Sequence, residues 1–164
     1  MLPLLKSTST HFLNWNLERI GRCFDELTED QVWQRPNSSS NSIGNQVLHL
    51  CGNISQWILT GLGDAPDLRQ RDKEFVIAGG FNKEELSARL KEVITESVAV
   101  IAGLEEEDIT RVRPVQAYYH DGVFILMHVV EHFSYHTGQI IFWTKALKDI
   151  DLDLYAGDAL DSTT

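Results

Sequence analysis

Apolar residues recur along this chain at the three- and four-residue steps of a helix, in four long blocks separated by polar connections. Phe12, Trp15, Leu17, Ile20, Cys23, Phe24 and Leu27 share one face of a first helix predicted over Lys6 to Leu27. A short helical turn at "TEDQVW" follows, and then Pro36 and the Asn/Ser cluster of "RPNSSSNS" stop it and supply a cap for the next helix. The second helix is predicted from Ser42, with Ile43, Val47, Leu50, Ile54, Trp57 and Ile58 inward, and ends near Gly61 and Gly63. Beyond the loop "GDAPDLRQRDKEFVIAGG", Asn82-x-x-Glu85 outlines a capping box. Leu86, Leu90, Val93, Ile94, Val98 and Ile101 then stripe a third helix as far as Gly103. "LEEEDITRVRPVQAYYHDG" reads as extended or hairpin-like around Pro114, after which Asp121 caps a fourth helix running to Leu147. Four amphipathic helices without a convincing strand pattern make an all-α four-helix bundle. Residues 1–148 are expected to form that bundle, and residues 149–164 a C-terminal tail that packs on it or extends from it.

Composition narrows the function classes. At 164 residues the chain is one domain's worth and can bury a core without disulfides or a structural metal, so any metal is expected to be a working part. Its net charge of −10 and scattered basic residues are not those of a nucleic-acid binder, and they argue against docking on anionic lipid. No apolar run is long enough to span a bilayer, and "MLPLLKSTST" is too short for a secretion signal. Two cysteines, Cys23 and Cys51, cannot build a disulfide framework, so a cytoplasmic protein is expected. "DIDLDLYAGDAL" superficially matches a calcium loop, but Leu154 sits where glycine is needed and Leu160 where a bidentate Glu belongs.

The candidate chemistry lies in "HVVEHFSYHTGQ". A four-residue step on a helix turns only ~40° and rises ~6 Å, so His128, His132 and His136 form one slanting row. Ile125, Val129, Ile140 and Trp143 fall on the same side, which predicts that the row faces the interior, with Gln139 beside His136. Buried imidazoles need partners for both ring nitrogens, and burial disfavours the cation. A divalent metal meets that need, because a histidine pair four residues apart on a helix can chelate one ion. A satisfied core hydrogen-bond network meets it equally well. A third ligand would come from another helix, and His49, flanked by Gln46 and Asn53 on the second helix's polar side, is the candidate. His49 could equally face water. His11 and His120 are expected at the surface, Cys23 in the core, and Cys51 on the side of its helix away from His49. No GxSxG elbow, phosphate-binding glycine loop or dinucleotide fingerprint is present, nor the Glu-x-x-His pairs of di-iron bundles.

"RPNSSSNSIGNQVLHLCGNISQWI" followed by "HVVEHFSYHTGQIIFWTKAL" resembles the DinB-like (DinB/YfiT) superfamily of metal-binding four-helix bundles. The likeness runs from the first helix to about Leu147, and its most specific part is the His-xxx-His-x-Gly-Gln ending of the fourth helix. It implies up-down-down-up connectivity, a bound divalent transition metal (Zn, Ni, Fe or Co) and a homodimer. The implied ligands are His49, His132 and His136, with a water or a thiolate at an open position. His128, Gln46, Asn53 and Gln139 are then candidates to support them. Relatives of this kind include S-transferases that use a low-molecular-weight thiol, which makes thiol transfer to an electrophilic small molecule the first functional expectation. A non-catalytic metal-binding dimer that takes a small ligand or partner, and a metal-dependent hydrolase, are the alternatives. The commonest motif reads His-Arg-Gly-Gln, whereas this chain has Thr137 in the Arg place.

Overall fold

The computed structural model describes residues 1–159. Four long helices form the bundle: α1 (Leu2–Glu26), α3 (Ile43–Ile54) with a π-helical continuation over Ser55–Thr60, α5 (Lys83–Gly103) and α7 (Gly122–Lys148). Short helices α2 (Glu29–Trp33), α4 (Arg71–Val76) and α6 (Glu106–Thr110) lie in the connections. Capping signals set the starts. Ser42 accepts from the Asn45 amide, Asn82 from that of Glu85 and Asp121 from that of Phe124, each satisfying an amide that the first helical turn leaves free. The α1 helix begins at Leu2 rather than near Lys6, since Pro3 is acceptable in a first turn where no amide donor is needed.

End-to-end contacts give the topology. Lys6 Nζ donates to the Ala102 carbonyl at 2.9 Å, and Lys83 Nζ to those of Phe24 at 2.9 Å and Leu27 at 2.6 Å, so α1 and α5 are antiparallel. Gln46 and His49 meet His136 and His132, whereas Trp57 meets His128, so α3 and α7 are antiparallel too. The last turns of α1 and α7 lie together, with Arg22 donating to the Asp153 carbonyl at 2.9 Å. The order is up-down-down-up, with α1 flanked by α5 and α7, and α3 flanked by the same two. Because α3 and α5 are parallel neighbours, the chain must cross the length of the bundle between them, and residues 61–82 make that crossing outside α3.

Two connections hold more structure than their sequences advertise. The crossing loop carries α4, and "LEEEDITRV" carries α6 before the expected hairpin, β1 (Arg113–Val115) with β2 (Tyr118–His120). The strands pair Arg113 with His120 and Val115 with Tyr118 around a two-residue loop in which Gln116 takes φ 54°. Buried Arg113 ties this hairpin to the end of the second long helix and to α6, donating to the Gly61 carbonyl at 3.1 Å and to that of Asp108 at 3.0 Å. In the π-helical segment the Gly61 amide bonds back to Gln56 and that of Gly63 to Ile58, each spanning five residues. Leu152 of the tail is buried against the core, and Leu160, invoked for the calcium loop, lies outside the described residues.

The centre of the α7 core stripe is one position away from the expected one. Its buried residues are Gly122, Ile125, Leu126, Val129, Phe133, Thr137, Ile140 and Thr144. The histidine row is half-buried on the flank of that stripe, where α7 faces α3. Thr137 enters the core because its hydroxyl donates to the Phe133 carbonyl at 2.8 Å. No helix among the described residues is long and apolar enough to cross a membrane.

Candidate metal centre

The antiparallel seam of α3 and α7 brings His49, His132 and His136 together. One ring nitrogen from each lies within 4.8 Å of the others, a group that could hold a metal ion. His49 does not face water; it is 7% exposed, with its Nε2 3.1 Å from His132 Nε2.

The other ring nitrogens fix the tautomers. His49 Nδ1 donates to Glu74 Oε2 at 2.8 Å, which leaves its Nε2 lone pair facing the other rings. Arg69 also approaches this Nδ1, at 3.1 Å, but two donors cannot bond each other, and its guanidinium donates instead to both carboxylate oxygens of Glu74, at 2.8 and 2.9 Å. A third donor of Arg69 goes to Gln56 Oε1 at 2.9 Å. Burial pushes the Glu74 carboxyl up, but the hydrogen bonds from His49 and Arg69 outweigh it and hold the group below the ordinary carboxylate value. On α7, His136 Nδ1 donates to Gln46 Oε1 at 3.3 Å, and the exposed Gln139 side chain also hydrogen-bonds this ring. Burial, then the neighbouring imidazoles, lower His132 to about 3, and burial with His49 lowers His136 to about 4, so both rings are neutral at pH 7.

This donor set fits a divalent cation. Protonating His132 at Nδ1 leaves two Nε2 lone pairs facing each other at 3.1 Å. Protonating it at Nε2 leaves Nδ1 as a buried acceptor without a donor, for that atom has no partner. A cation between the Nε2 atoms removes the first difficulty. Neutral imidazoles are ligands for transition metals rather than for Ca or Mg.

Two cavities open beside the triad. One, of about 370 Å³, is bounded by His49, His132, Asn53, His128, Trp57 and the β-hairpin. The other, a groove of about 710 Å³, is bounded by His136, Gln46, Gln139, Tyr135 and the loop after Pro36. Of the proposed supports, Gln46 and Gln139 reach a triad ring. Asn53 bonds none of the three, and its Oδ1 is buried without a partner. His128 stacks on Trp57 at 3.8 Å and neighbours His132 at 5.6 Å between ring centres, without a hydrogen bond to it. His120 is not a bare surface residue, because it stacks on Phe124 at 3.6 Å in the cavity wall. His11 is exposed. Cys23 is buried, and Cys51 faces a different cavity, behind α3, where burial pushes its thiol up to about 12.

Sequence reasoning missed Glu74 and Arg69. Both arrive from the crossing loop, which has no periodicity to mark them. Gly52 is a weak signal after the fact: a Cβ there would collide with Glu74 Oε1 and crowd Arg69, so a glycine in mid-helix admits the pair to the back of His49.

The profile of a family described as "Protein of unknown function (DUF1572)" matches residues 4–156. No curated protein matches the sequence. Among solved structures, the fold is similar to a conserved protein from Enterococcus faecalis, at 16% identity and TM-score 0.70, covering 85% of this chain and 94% of that one. It is also similar to a DinB-like protein from Bacillus cereus, at 18% identity and TM-score 0.65, covering 82% of this chain and 87% of that one. A DinB-like protein from Bacillus subtilis aligns at 16% identity and TM-score 0.61 over 90% of this chain and 97% of that one.

Proposed function

The chain belongs to the DUF1572 family and has the fold of DinB-like proteins, and on that premise we propose that it binds one divalent transition metal through His49, His132 and His136 and acts on a small molecule beside it. The observation that carries this reading is the convergence of three imidazoles, with the Nδ1 of His49 and that of His136 each tied to an oxygen acceptor. Zn, Ni, Fe and Co all suit such a donor set. When bound, the metal would supply Lewis acidity, lowering the pKa of a thiol or water that enters an open position.

The chain's own residues supply the setting. Glu74 keeps the proton of His49 on the outer nitrogen, and Arg69 keeps Glu74 ionised and immobile. Gln46 does for His136 what Glu74 does for His49, with a neutral acceptor. Neither Cys23 nor Cys51 borders the triad's cavities, so in thiol transfer the nucleophile would arrive with a low-molecular-weight thiol. That transfer is the specific activity we favour; a hydrolase using the same position is the alternative. Thr137 gives no cationic side chain to the site, since its hydroxyl is turned into the bundle core. Exposed Val123, Met127, Tyr135 and Phe142 along α7 support a homodimer, and two unpaired cysteines support a reducing cytoplasm.

Elemental analysis of protein purified without a histidine tag tests the metal reading. About one equivalent of a transition metal is expected, falling to background in His132→Ala; a wild-type protein that stays metal-free after incubation with Zn, Ni, Fe and Co overturns it. Incubation of the loaded protein with cellular thiols and a panel of electrophiles tests the transfer activity. Metal retention without any adduct would favour the non-catalytic binding alternative.

A further inference from the structure

We propose that the cavity between α3, α7 and the hairpin binds a planar aromatic acid that carries a hydroxyl or N–H donor on its ring. The proposal rests on the metal-site reading for one point, that the reacting end of the ligand faces His49 and His132 at the cavity's inner edge.

Ring stacking defines the shape. Trp57 lies on His128 at 3.8 Å and His120 on Phe124 at 3.6 Å, while Trp57 to His120 is 6.1 Å and Phe124 to His128 is 6.5 Å. These four distances close a ring of contacts between two stacked pairs, with Tyr118 adjoining at 5.9 Å from His120. Interplanar angles of 30°, 9°, 24° and 4° keep the rings close to parallel. The wall therefore offers ring faces and edges in register, a surface that favours a flat π-system over an aliphatic chain. A side-chain hydrogen bond ties this wall to the hairpin, with the Trp57 indole donating to Gln116 Oε1 at 3.1 Å and Gln116 itself in a positive-φ turn. A non-glycine residue in that conformation and a π-helical segment are both features that collect at functional sites.

Polar demand is concentrated in the same place. Asn53 Oδ1, His128 Nε2 and His132 Nδ1 are all buried without a partner, and all three residues border this one cavity. Asn53 is only 4% exposed, so its carbonyl oxygen has given up water without a replacement. That oxygen can only accept, so the missing group is a donor. The two imidazoles accept or donate according to tautomer and are satisfied by a hydroxyl or a ring N–H.

Charge supplies the third requirement. Two arginines border the cavity. The charge of Arg69 is already paired with Glu74, but Arg71 is exposed, lies 5.0 Å over Phe75, and makes none of the ion pairs among the described residues. An unneutralised guanidinium at the rim, in a chain of net charge −10, selects a ligand whose outer end is a carboxylate or similar anion.

The test is calorimetric titration of the full, metal-loaded chain with 6-hydroxy-2-naphthoate and 4-hydroxybenzoate. The comparison ligands are 2-naphthoate (no donor), 2-naphthol (no anion) and cyclohexanecarboxylate (no aromatic ring). At least one hydroxy acid is expected to bind saturably at one site, about tenfold more tightly than its donor-free counterpart. Asn53→Ala should erase that preference, and Arg71→Ala, at an exposed position that folding does not need, should weaken the naphthoates about fivefold while leaving 2-naphthol unchanged. Failure of both hydroxy acids to saturate, equal binding of cyclohexanecarboxylate, or an Arg71→Ala protein that binds the naphthoates as tightly as wild type would overturn the proposal. Metal content is measured on the same samples: metal without probe binding sinks the cavity proposal alone, and probe binding without metal sinks the metal reading alone.

Discussion

The bundle has two antiparallel seams, α1 against α5 and α3 against α7, built on the same geometry and filled with opposite chemistry. On the first, Leu13 and Ile20 of α1 and Leu86, Leu90, Ile94 and Ile101 of α5 are sealed from solvent, and lysines latch both ends to backbone carbonyls. On the second, Gln46, His49, Asn53 and Trp57 climb α3 while His136, His132, His128 and Phe124 descend α7, and buried ring and amide atoms stay unpaired. One fold tolerates both because the aliphatic seam, with the α1–α7 interface, carries enough apolar burial to hold the helices while polar atoms remain exposed to demand on the other. Stability and binding are expected to separate along the same line.

The largest effect should come from His49→Ala, which removes a proposed ligand and is expected to weaken metal retention by at least about 100-fold while the circular dichroism spectrum stays helical. Competition with a chromophoric chelator measures it. Leu90→Ala on the other seam is expected to do the converse: unfolding free energy falls by about 2–5 kcal/mol in urea titration, with metal stoichiometry intact. Glu74→Gln keeps the shape beside His49 but removes the charge that fixes its tautomer, and should weaken metal binding by about 10–100-fold. In metal-free protein, His132 and His136 hold their protons far less readily than the unfolded chain, whose histidines titrate near the ordinary 6.5. The unfolded state then takes up protons first, so stability is full above pH 6.5, declines as pH falls toward about 3, and levels off below that. Urea midpoints across that range should show a slope that His132→Ala reduces and Leu90→Ala preserves. Smallest of all, Thr137→Val should shift stability by less than about 1 kcal/mol and leave metal content unchanged, because the Thr hydroxyl serves only its own helix.

The helical frame was readable because apolar spacing and capping residues agree at Ser42, Asn82 and Asp121. The histidine row was readable for the same reason, as spacing alone puts positions 128, 132 and 136 on one line. Its depth was not. Hydropathy assigns Thr137 and Gly122 to the polar side, yet a back-bonded hydroxyl and a missing side chain both fit a core, and they draw the buried stripe away from the histidines. His49 was ambiguous from its own helix, since a polar flank becomes a site only when another helix meets it. Glu74, Arg69 and Arg71 lay beyond periodicity altogether, in a connection whose path follows from the parallel packing of α3 and α5 rather than from any local pattern. Short α4 and α6 were hidden because, unlike α2 with Thr28 at its start, they open on Gln70 and Glu105 rather than on a favoured capping residue.

The wider turn at Ser55–Thr60 has a consequence for alignment. In an ordinary α-helix each four-residue step overshoots a full revolution by ~40°, so a line of side chains drifts around the axis. A five-residue hydrogen-bonded loop rotates less per residue, and the same step there falls back. The drift accumulated from His49 to Asn53 is thereby countered before Trp57, whose indole stacks on His128. Six residues of irregular winding act as a phase correction, letting a straight file of functional side chains run the length of a helix that would otherwise spiral them apart.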